Sequence, residues 1–337
     1  MDAMSRNVVL RRRPSGEPKP DDFEIVERAL PTPAAGQVLT RTIWLSLDPY
    51  MRGRLSDRKS YAPPVQIGEV MTGESLGEVI ASADPGLAPG DIVVGSRGWQ
   101  SHSLSQATAL TKLTPDAAPL QAHLGVLGMP GTTAYSGMTD IGQPKAGETV
   151  VISAASGAVG SVAGQIAKRA GARVVGIAGG PDKCLWVQEA LGFDECVDHR
   201  TPYLPEALAE ACPNGIDVYF ENVGGAVQEA AFALLNPFSR VVMCGMVAQY
   251  NARELPPGPN LGFVVGKRVR IQGLIVSDKP ERFAEWRALA SPWVADGSLR
   301  YRETVIDGLE NAPDALAMLL RGGNFGKMLI RVGPDPA

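Results

Sequence analysis

Apolar and polar positions change their arrangement near residue 128. Before it, short β-branched runs are cut by Gly and Pro, as in "GQVLTRTIWLSLD" and "GESLGEVIAS". After it, near-continuously apolar runs such as "ETVVISAA" and "ARVVGIAG" alternate with segments of helical spacing. The first pattern is typical of turn-bounded strands, and the second of parallel strands that helices cover on both faces.

This change of pattern predicts an α/β chain of two domains. Residues 128–297 are expected to form a Rossmann domain, a doubly wound parallel sheet of six strands with intervening helices. Residues 1–127 are expected to form a mostly-β domain. The tail, residues 298–337, predicts strand, helix and strand, and is expected to return to that first domain. Residues 247–268, which include "ELPPGPN", are expected to be a long irregular loop.

Composition and charge argue against several partners. The net charge is −4 with no basic stripe, so nucleic acid is not an expected partner. No apolar run reaches the roughly 18 residues that a membrane span needs, and the N-terminus lacks the order of a signal peptide. The four cysteines are scattered, which is typical of a reducing compartment. The sequence therefore predicts a cytoplasmic protein without a membrane partner.

A glycine-containing turn follows the first strand of the α/β part, in "ISAASGAVGSVAGQIAK". Gly157 and Gly160 match the second and third glycines of the dinucleotide fingerprint, while Ala155 stands at the first, so no positive φ is expected there. Gly157 would let backbone approach a pyrophosphate, and Gly160 would let the helix pack closely on the strand. The strand–turn–helix context favours nucleotide binding over the alternative, tight packing alone.

The residues at the end of the second strand indicate which dinucleotide the site would bind. An NAD site usually has an acid there, but Gly179 and Gly180 occupy the place. Lys183 follows at the next helix and Arg200 follows the third strand, so two cations favour the 2′-phosphate of NADPH. Asp182 leaves an alternative open, because it could be a displaced ribose ligand rather than a helix N-terminal acid.

Motifs for metal and nucleophile chemistry are weak. The three histidines and four cysteines show neither CxxC nor HxxxH spacing, so no metal site is predicted. The stretch "GESLG" fits the nucleophile elbow GxSxG, but an elbow must join a strand to a helix, and a strand pattern follows here. A hydrolase is therefore not favoured.

Longer motifs carry a family resemblance that covers nearly the whole chain. They include "LSLDPYMRGR", "GMPGTTAYSGM", "GIDVYFENVGG", "ELPPGPN" and "GLENAPDALAMLLRGGNFGKMLIRV". The chain resembles the zinc-independent medium-chain dehydrogenase/reductases. Within them it is similar to the NADPH-dependent double-bond reductases, which include leukotriene/prostaglandin, plant alkenal and bacterial curcumin reductases.

The resemblance implies a GroES-like catalytic domain from residues 1–127 and 298–337, a Rossmann domain, a cleft between them and a homodimer. It also implies that His199 lies near the adenosine end of the cofactor and that Asn324 contacts the carboxamide. The motifs and the resemblance together give the expected NADPH/NADP-binding residues: Gly157, Ala158, Val159, Gly160, Gly179, Lys183, His199, Arg200, Asn222, Val223, Cys244, Gly245, Tyr250 and Asn324.

The expected reaction is reduction of the carbon–carbon double bond of enones and enals. Without a metal, hydride transfer to the β-carbon leaves an enolate that needs only hydrogen-bond donors. Tyr50, Tyr250 and Tyr61 are the candidate catalytic residues, and each could instead be a packing residue. Gly266 stands where relatives carry a tyrosine near the substrate oxygen, so Tyr250, Tyr61 or the 2′-hydroxyl of the cofactor must donate. A quinone reductase and a nucleotide-binding protein without turnover are the alternatives.

Overall fold

The computed structural model describes residues 4–114, 118–254 and 256–336. The chain forms two compact units. The first contains Met1–Leu124 together with Glu303–Ala337, and the second contains Gly125–Arg302. The predicted nucleotide-binding domain, residues 128–297, falls within the second unit.

The elements run in chain order as follows. The strands are β1 (Met4–Leu10), β2 (Phe23–Ala29), β3 (Gln37–Leu47), β4 (Glu74–Ser82), β5 (Ile92–Ser96), β6 (His102–Gln106), β7 (Thr111–Lys112), β8 (Thr149–Ser153), β9 (Arg173–Ala178), β10 (Glu195–Asp198), β11 (Ile216–Glu221), β12 (Leu235–Met243), β13 (Arg270–Gly273), β14 (Glu303–Asp307) and β15 (Lys327–Arg331). The helices are α1 (Met51–Arg54), α2 (Met129–Ser136), α3 (Gly160–Arg169), α4 (Pro181–Glu189), α5 (Leu204–Ala211), α6 (Gly225–Ala233), α7 (Gly262–Lys267), α8 (Glu281–Ala295) and α9 (Ala312–Leu320). Within the described part of the chain, none of these helices is long and apolar enough to cross a membrane.

The first unit is built on a mostly antiparallel sheet. Its strand order is β14-β15-β3-β4-β5-β7, and β6 also pairs with β3. Ile43, Leu76 and Leu329 are fully buried in one cluster, so the first half of the chain and its tail share a core. The tail enters through β15, which pairs antiparallel with β3, while β14 runs parallel to β15.

The second unit confirms the predicted doubly wound sheet. Its six strands have the order β10-β9-β8-β11-β12-β13 and all their pairings are parallel. Val151, Val175 and Val241 are fully buried, as expected for strands covered on both faces. The α/β class and the strand count are therefore as the apolar runs predicted.

Helix α3 lies unusually close to the turn that precedes it. Gly160 is the first residue of α3, and a Cβ there would overlap the carbonyl group of Ala154. Because the obstacle is backbone rather than a flexible side chain, the helix cannot approach this closely with any other residue. The crossing of α3 over β8 therefore depends on Gly160.

The prediction of an irregular loop over 247–268 is wrong at its C-terminal end. Residues Gly262–Lys267 form helix α7. The side chain of Asn260 accepts a hydrogen bond from the backbone N–H of Gly262, the first residue of the helix, and the partly buried Phe263 packs against the buried cluster beneath it. The Pro- and Gly-rich composition of the preceding residues concealed this short helix.

Replacing Gly160 by Ala is expected to destabilise the second unit by about 1–3 kcal/mol, the usual cost of overpacking a closely packed contact. The matched control is Gly266→Ala in helix α7, where a Cβ would meet no atom within 4 Å. That change should leave stability unchanged or raise it by up to about 1 kcal/mol, because Ala favours helix. Denaturant unfolding without added nucleotide measures both; equal stability of the two variants would contradict the packing role.

Candidate functional site

Parallel pairing brings most of the predicted residues of the second unit to one edge of its sheet. The segments that follow β8, β9, β10, β11 and β12 all leave at the carboxyl ends of their strands. The strand order reverses at β8, which has β9 on one side and β11 on the other. In open α/β sheets, ligands bind outside the carboxyl ends at such a switch point.

The turn between β8 and α3 lies at this switch point. Gly157, Ala158 and Val159 are half-buried, between the buried Ser156 and the buried Gly160. The backbone N–H of Gly157 is bonded to the carbonyl of Ala154, and the first N–H groups of a helix lack partners within the helix. The turn can therefore present amides and the positive end of a helix dipole to a phosphate.

The left-handed residue of this turn is Ala154, with φ 49°, and not Ala155. The expectation that position 155 needs no positive φ agrees with this. The strained conformation falls one residue earlier, on a residue that the fingerprint does not mark.

Cations collect beside the end of β9. A Cβ at Gly179 would lie 2.8 Å from Nε2 of His199, and one at Gly180 would lie 2.9 Å from the Arg200 guanidinium. Burial lowers the pKa of Lys183, and the charge of Arg200 lowers it further. Lys183, His199 and Arg200 therefore share one small region, although they come from two different elements.

The same neighbours act on His199. Burial lowers the pKa of its imidazole, Asp198 opposes this, and Arg200 and Lys183 add to the decrease. The ring is therefore held neutral near pH 7, so it can pack or hydrogen-bond without adding to the positive charge.

Asp198, which the sequence analysis did not select, organises this region. Its carboxylate accepts hydrogen bonds from the backbone N–H groups of Gly180 (2.9 Å) and Arg200 (3.0 Å). Burial raises the pKa of Asp198, but these two bonds and the nearby Arg200 and His199 outweigh that and lower it. The acid thus holds the loops after β9 and β10 together. Asp182, the alternative ribose ligand, is exposed in the first turn of α4.

A second group of predicted residues meets at the ends of β11 and β12. The backbone N–H groups of Cys244 and Gly245 both donate to the carbonyl of Glu221, at 2.9 and 3.0 Å. The carbonyl of Asn222 accepts from Val247 at 3.1 Å, and a Cβ at Gly245 would lie 3.0 Å from the hydroxyl of Tyr250. Asn222, Cys244, Gly245 and Tyr250 are therefore neighbours.

The side chain of Glu221 is the centre of this group, and the sequence analysis missed it. It is fully buried, and its Oε1 accepts from the backbone N–H of Val223 (2.6 Å), the N–H of Gly224 (3.0 Å) and the hydroxyl of Ser153 (3.1 Å). Asn222 is fixed to the same strand end, because its side-chain amide donates to the carbonyl of Ser153 at 2.7 Å. One buried carboxylate therefore sets the turn after β11.

Cys244 and Tyr250 are two predicted residues of this group. The structure indicates the protonation state of the first and the hydrogen bond of the second. Burial raises the pKa of the Cys244 thiol to about 12, and the charge of Glu221 adds to this, so the thiol stays protonated and is a poor nucleophile. The hydroxyl of Tyr250 accepts a hydrogen bond from the backbone N–H of Met246 at 3.3 Å. Its ring is therefore anchored to the Cys244–Gly245 segment.

The other predicted residues, Tyr50, Tyr61 and Asn324, belong to the first unit. Asn324 is buried, and its side-chain amide donates to the carbonyl of Gly326 at 2.6 Å. Tyr61 is 62% exposed, with its ring under the guanidinium of Arg54 at 4.4 Å. Tyr61 is thus a surface side chain held by a cation, whereas Asn324 braces its own turn.

Tyr50 is half-buried at the start of α1. Burial raises the pKa of its hydroxyl well above the ordinary value, and the charges of Asp48 and Glu74 raise it further. The phenol is therefore kept protonated at every physiological pH. A protonated phenol is a hydrogen-bond donor.

The predicted absence of a metal stays a prediction. Among residues 4–114, 118–254 and 256–336, no group of three or more His, Cys, Asp or Glu side chains could hold a metal ion. Gly266, where the resemblance implied a tyrosine, lies in α7, and a Cβ there would meet no atom within 4 Å.

Comparisons with known proteins match both parts of the chain. Residues 6–113 match the family described as N-terminal domain of oxidoreductase, and residues 158–295 match zinc-binding dehydrogenase. The chain is 50% identical to NADPH-dependent curcumin reductase of Escherichia coli, over 98% of each chain. It is 38% identical to the NADP(+)-dependent 2-alkenal reductase of Nicotiana tabacum, also over 98% of each.

A solved structure agrees with these relatives. It is the crystal structure of CurA from Vibrio vulnificus in complex with NADPH, with a TM-score of 0.93 and 47% identity, covering 98% of this chain and 100% of that one. The fold, the two matched domains and these identities agree with the resemblance that the motifs indicated. The chain belongs to the medium-chain dehydrogenase/reductase family, in the branch that contains the curcumin and 2-alkenal reductases.

Proposed function

We propose that this protein is an NADPH-dependent reductase of the carbon–carbon double bond of enones and enals. The observation that carries the proposal is the 50% identity with a curcumin reductase over nearly the whole chain. Curcumin and 2-alkenals share one reactive group, an alkene conjugated to a carbonyl, so the relatives support this substrate class. The names of these relatives, a curcumin reductase and a 2-alkenal reductase, favour the enone over the quinone alternative.

The carboxyl edge of the second unit fits a phosphorylated dinucleotide. The turn at Gly157–Gly160 leads into α3, whose positive N-terminal end suits the pyrophosphate, and Lys183 with Arg200 offers two cations for the 2′-phosphate. At the other end, Asn222, Cys244 and Gly245 provide a braced surface for the nicotinamide side. The distribution of charge supports NADPH over NADH, because β9 ends without an acid, Arg200 lies beside Gly179, and the nearby Asp198 carboxylate is already bonded to the backbone N–H groups of Gly180 and Arg200.

NADPH, when bound, supplies a hydride to the β-carbon of the enone. The protein must then stabilise the negative charge on the enolate oxygen and allow a proton to reach the α-carbon. Gly266 offers no side chain for the first task, so the donor must be a tyrosine elsewhere or the 2′-hydroxyl of the cofactor. We propose Tyr50, whose phenol is an O–H donor in a half-buried position. Tyr250 and the exposed Tyr61 are the other side-chain candidates.

We also propose a homodimer that acts in the cytoplasm. Strand β13 is the last strand of the six-stranded sheet, and Val265, in the neighbouring α7, is 81% exposed. An edge strand beside exposed apolar side chains is a suitable surface for a second copy. The four cysteines are free thiols, which supports a reducing compartment.

The direct test is incubation of the purified protein with NADPH and a simple enone such as but-3-en-2-one. We expect loss of the nicotinamide absorbance, formation of the saturated ketone, and transfer of deuterium from C4-labelled NADPH to the β-carbon. An allylic alcohol as the product would contradict double-bond reduction. NADPH binding without consumption across enones, enals and quinones would instead support a binding protein without turnover.

Lys183→Ala is expected to weaken NADPH binding by about 10- to 100-fold, since one hydrogen bond to a charged group contributes about 1.5–3 kcal/mol. NADH binding should change little, because NADH lacks the 2′-phosphate. Lys145→Ala, at an exposed position of the same unit, is the matched control and should change neither affinity. Fluorescence titration measures all four constants, and equal losses for NADPH and NADH would contradict a 2′-phosphate contact.

Glu221→Ala is expected to lower kcat for an enone by about tenfold or more, because loss of the carboxylate frees the turn that carries Asn222 and Val223. Glu221→Gln retains an acceptor oxygen and should keep most of the activity. Steady-state kinetics at saturating NADPH compare the two variants. If both lose activity equally, the negative charge rather than the hydrogen-bond geometry of Glu221 is what matters.

A further inference from the structure

One end of the sheet of the first unit brings two turns side by side. Strands β3 and β15 are antiparallel, with Leu47 opposite Met328. The chain that leaves β3 after Leu47 and the chain that enters β15 before Met328 therefore lie at the same end of the ladder. The first segment is the Tyr50 turn, residues 47–51, and the second is the Asn324 turn, residues 322–327.

Lys327 joins these two turns. Its side chain is only 4% exposed, and its Nζ donates to the carbonyl of Leu47 (2.6 Å), to Oδ1 of Asp48 (3.0 Å) and to the carbonyl of Met328 (3.0 Å). An ammonium group has three hydrogens, so all of its donors are used. Two of the three acceptors belong to the Tyr50 turn, and the lysine itself ends the Asn324 turn.

Asp48 is equally well bonded. Its Oδ2 accepts a hydrogen bond from the hydroxyl of Ser46, while Oδ1 accepts from Lys327. The carboxylate is 5% exposed, so both partners of the ion pair are buried. The position of Asp48, two residues before Tyr50, is therefore fixed by side chains on both of its oxygens.

Other acids face the same end of the sheet. Glu303 is opposite Lys327 in the ladder of β14 and β15, and Glu74 begins β4. Burial raises the pKa of Glu303, while a hydrogen bond from Gln121 and the charge of Lys327 oppose this. Lys327 thus supplies buried positive charge to Asp48 and Glu303, at the end of the sheet where Glu74 begins β4.

Stability alone does not account for this arrangement. A buried ion pair costs so much desolvation that apolar residues of the same volume often serve the fold as well. An ammonium group adds three directional hydrogen bonds. These bonds fix the relative positions of the segments whose oxygen atoms accept them. We propose that Lys327 is a positioning residue that holds the Tyr50 turn against the Asn324 turn. The proposal rests on the proposed function, in which these turns carry the enolate donor and the carboxamide contact.

The test is the double variant Lys327→Met with Asp48→Asn, which removes both charges together. Charge compensation alone would leave this variant like the wild type. We expect a melting temperature near that of the wild type, faster hydrogen exchange in residues 47–51 and 322–327 of the NADPH-bound protein, and a kcat for the enone at saturating NADPH reduced by about tenfold or more. Wild-type exchange and wild-type kcat in the double variant would overturn the proposal.

The matched control is the ion pair of the exposed Lys112 and the half-buried Asp91 in the same unit, at 2.7 Å. Lys112→Met with Asp91→Asn makes the same chemical change away from the two turns. It should leave kcat and the exchange of both turns unchanged. An equal effect of the two double variants would show a general loss of stability and would overturn the positioning role.

Comparison of Asp48→Asn with Asp48→Ala gives a second test that retains the lysine. Asparagine keeps an acceptor for the ammonium and should preserve kcat, whereas alanine should lose it. If the wild type binds NADPH but reduces no enone, the proposed function fails. Hydrogen exchange in the two turns would still decide whether Lys327 positions them.

Discussion

Parallel pairing in the six-stranded sheet is the constraint on which the second unit depends. Because every strand runs in the same direction, segments that are far apart in sequence leave the sheet at one edge. The turn at Gly157–Gly160 lies at the centre, the cations near Gly179 lie on one side, and the Asn222 turn lies on the other. The binding surface is therefore a property of the strand order, and individual side chains only refine it.

Features that are determined by a short, local stretch of sequence could be predicted. Apolar runs gave the strands, and the spacing of Gly157 and Gly160 gave the turn and its close helix. The absence of an acid after β9 pointed to the cations at Lys183 and Arg200, which the structure places together. Each of these signals is contained within about one crossover unit of chain, so no knowledge of distant contacts was needed.

Features that depend on distant partners could not be predicted. Lys327 and Asp48 are 279 residues apart, and nothing in either local sequence marks them as a pair. Glu221 stands inside the motif "ENVGG" and accepts two local hydrogen bonds, but its third, from the hydroxyl of Ser153, comes from another strand. Helix α7 was hidden by the Pro and Gly residues before it, because the contact of Phe263 with the buried cluster comes from residues distant in sequence.

The two glycines after β9 have a consequence for how coenzyme preference can change. Space above Gly179 is already taken by the imidazole of His199, and space above Gly180 by the guanidinium of Arg200. An acidic side chain at position 179 would contact that imidazole at its first carbon. The imidazole of His199 must therefore move or be replaced before an acid at the strand end can be accommodated, so a change of coenzyme involves position 199 as well as position 179.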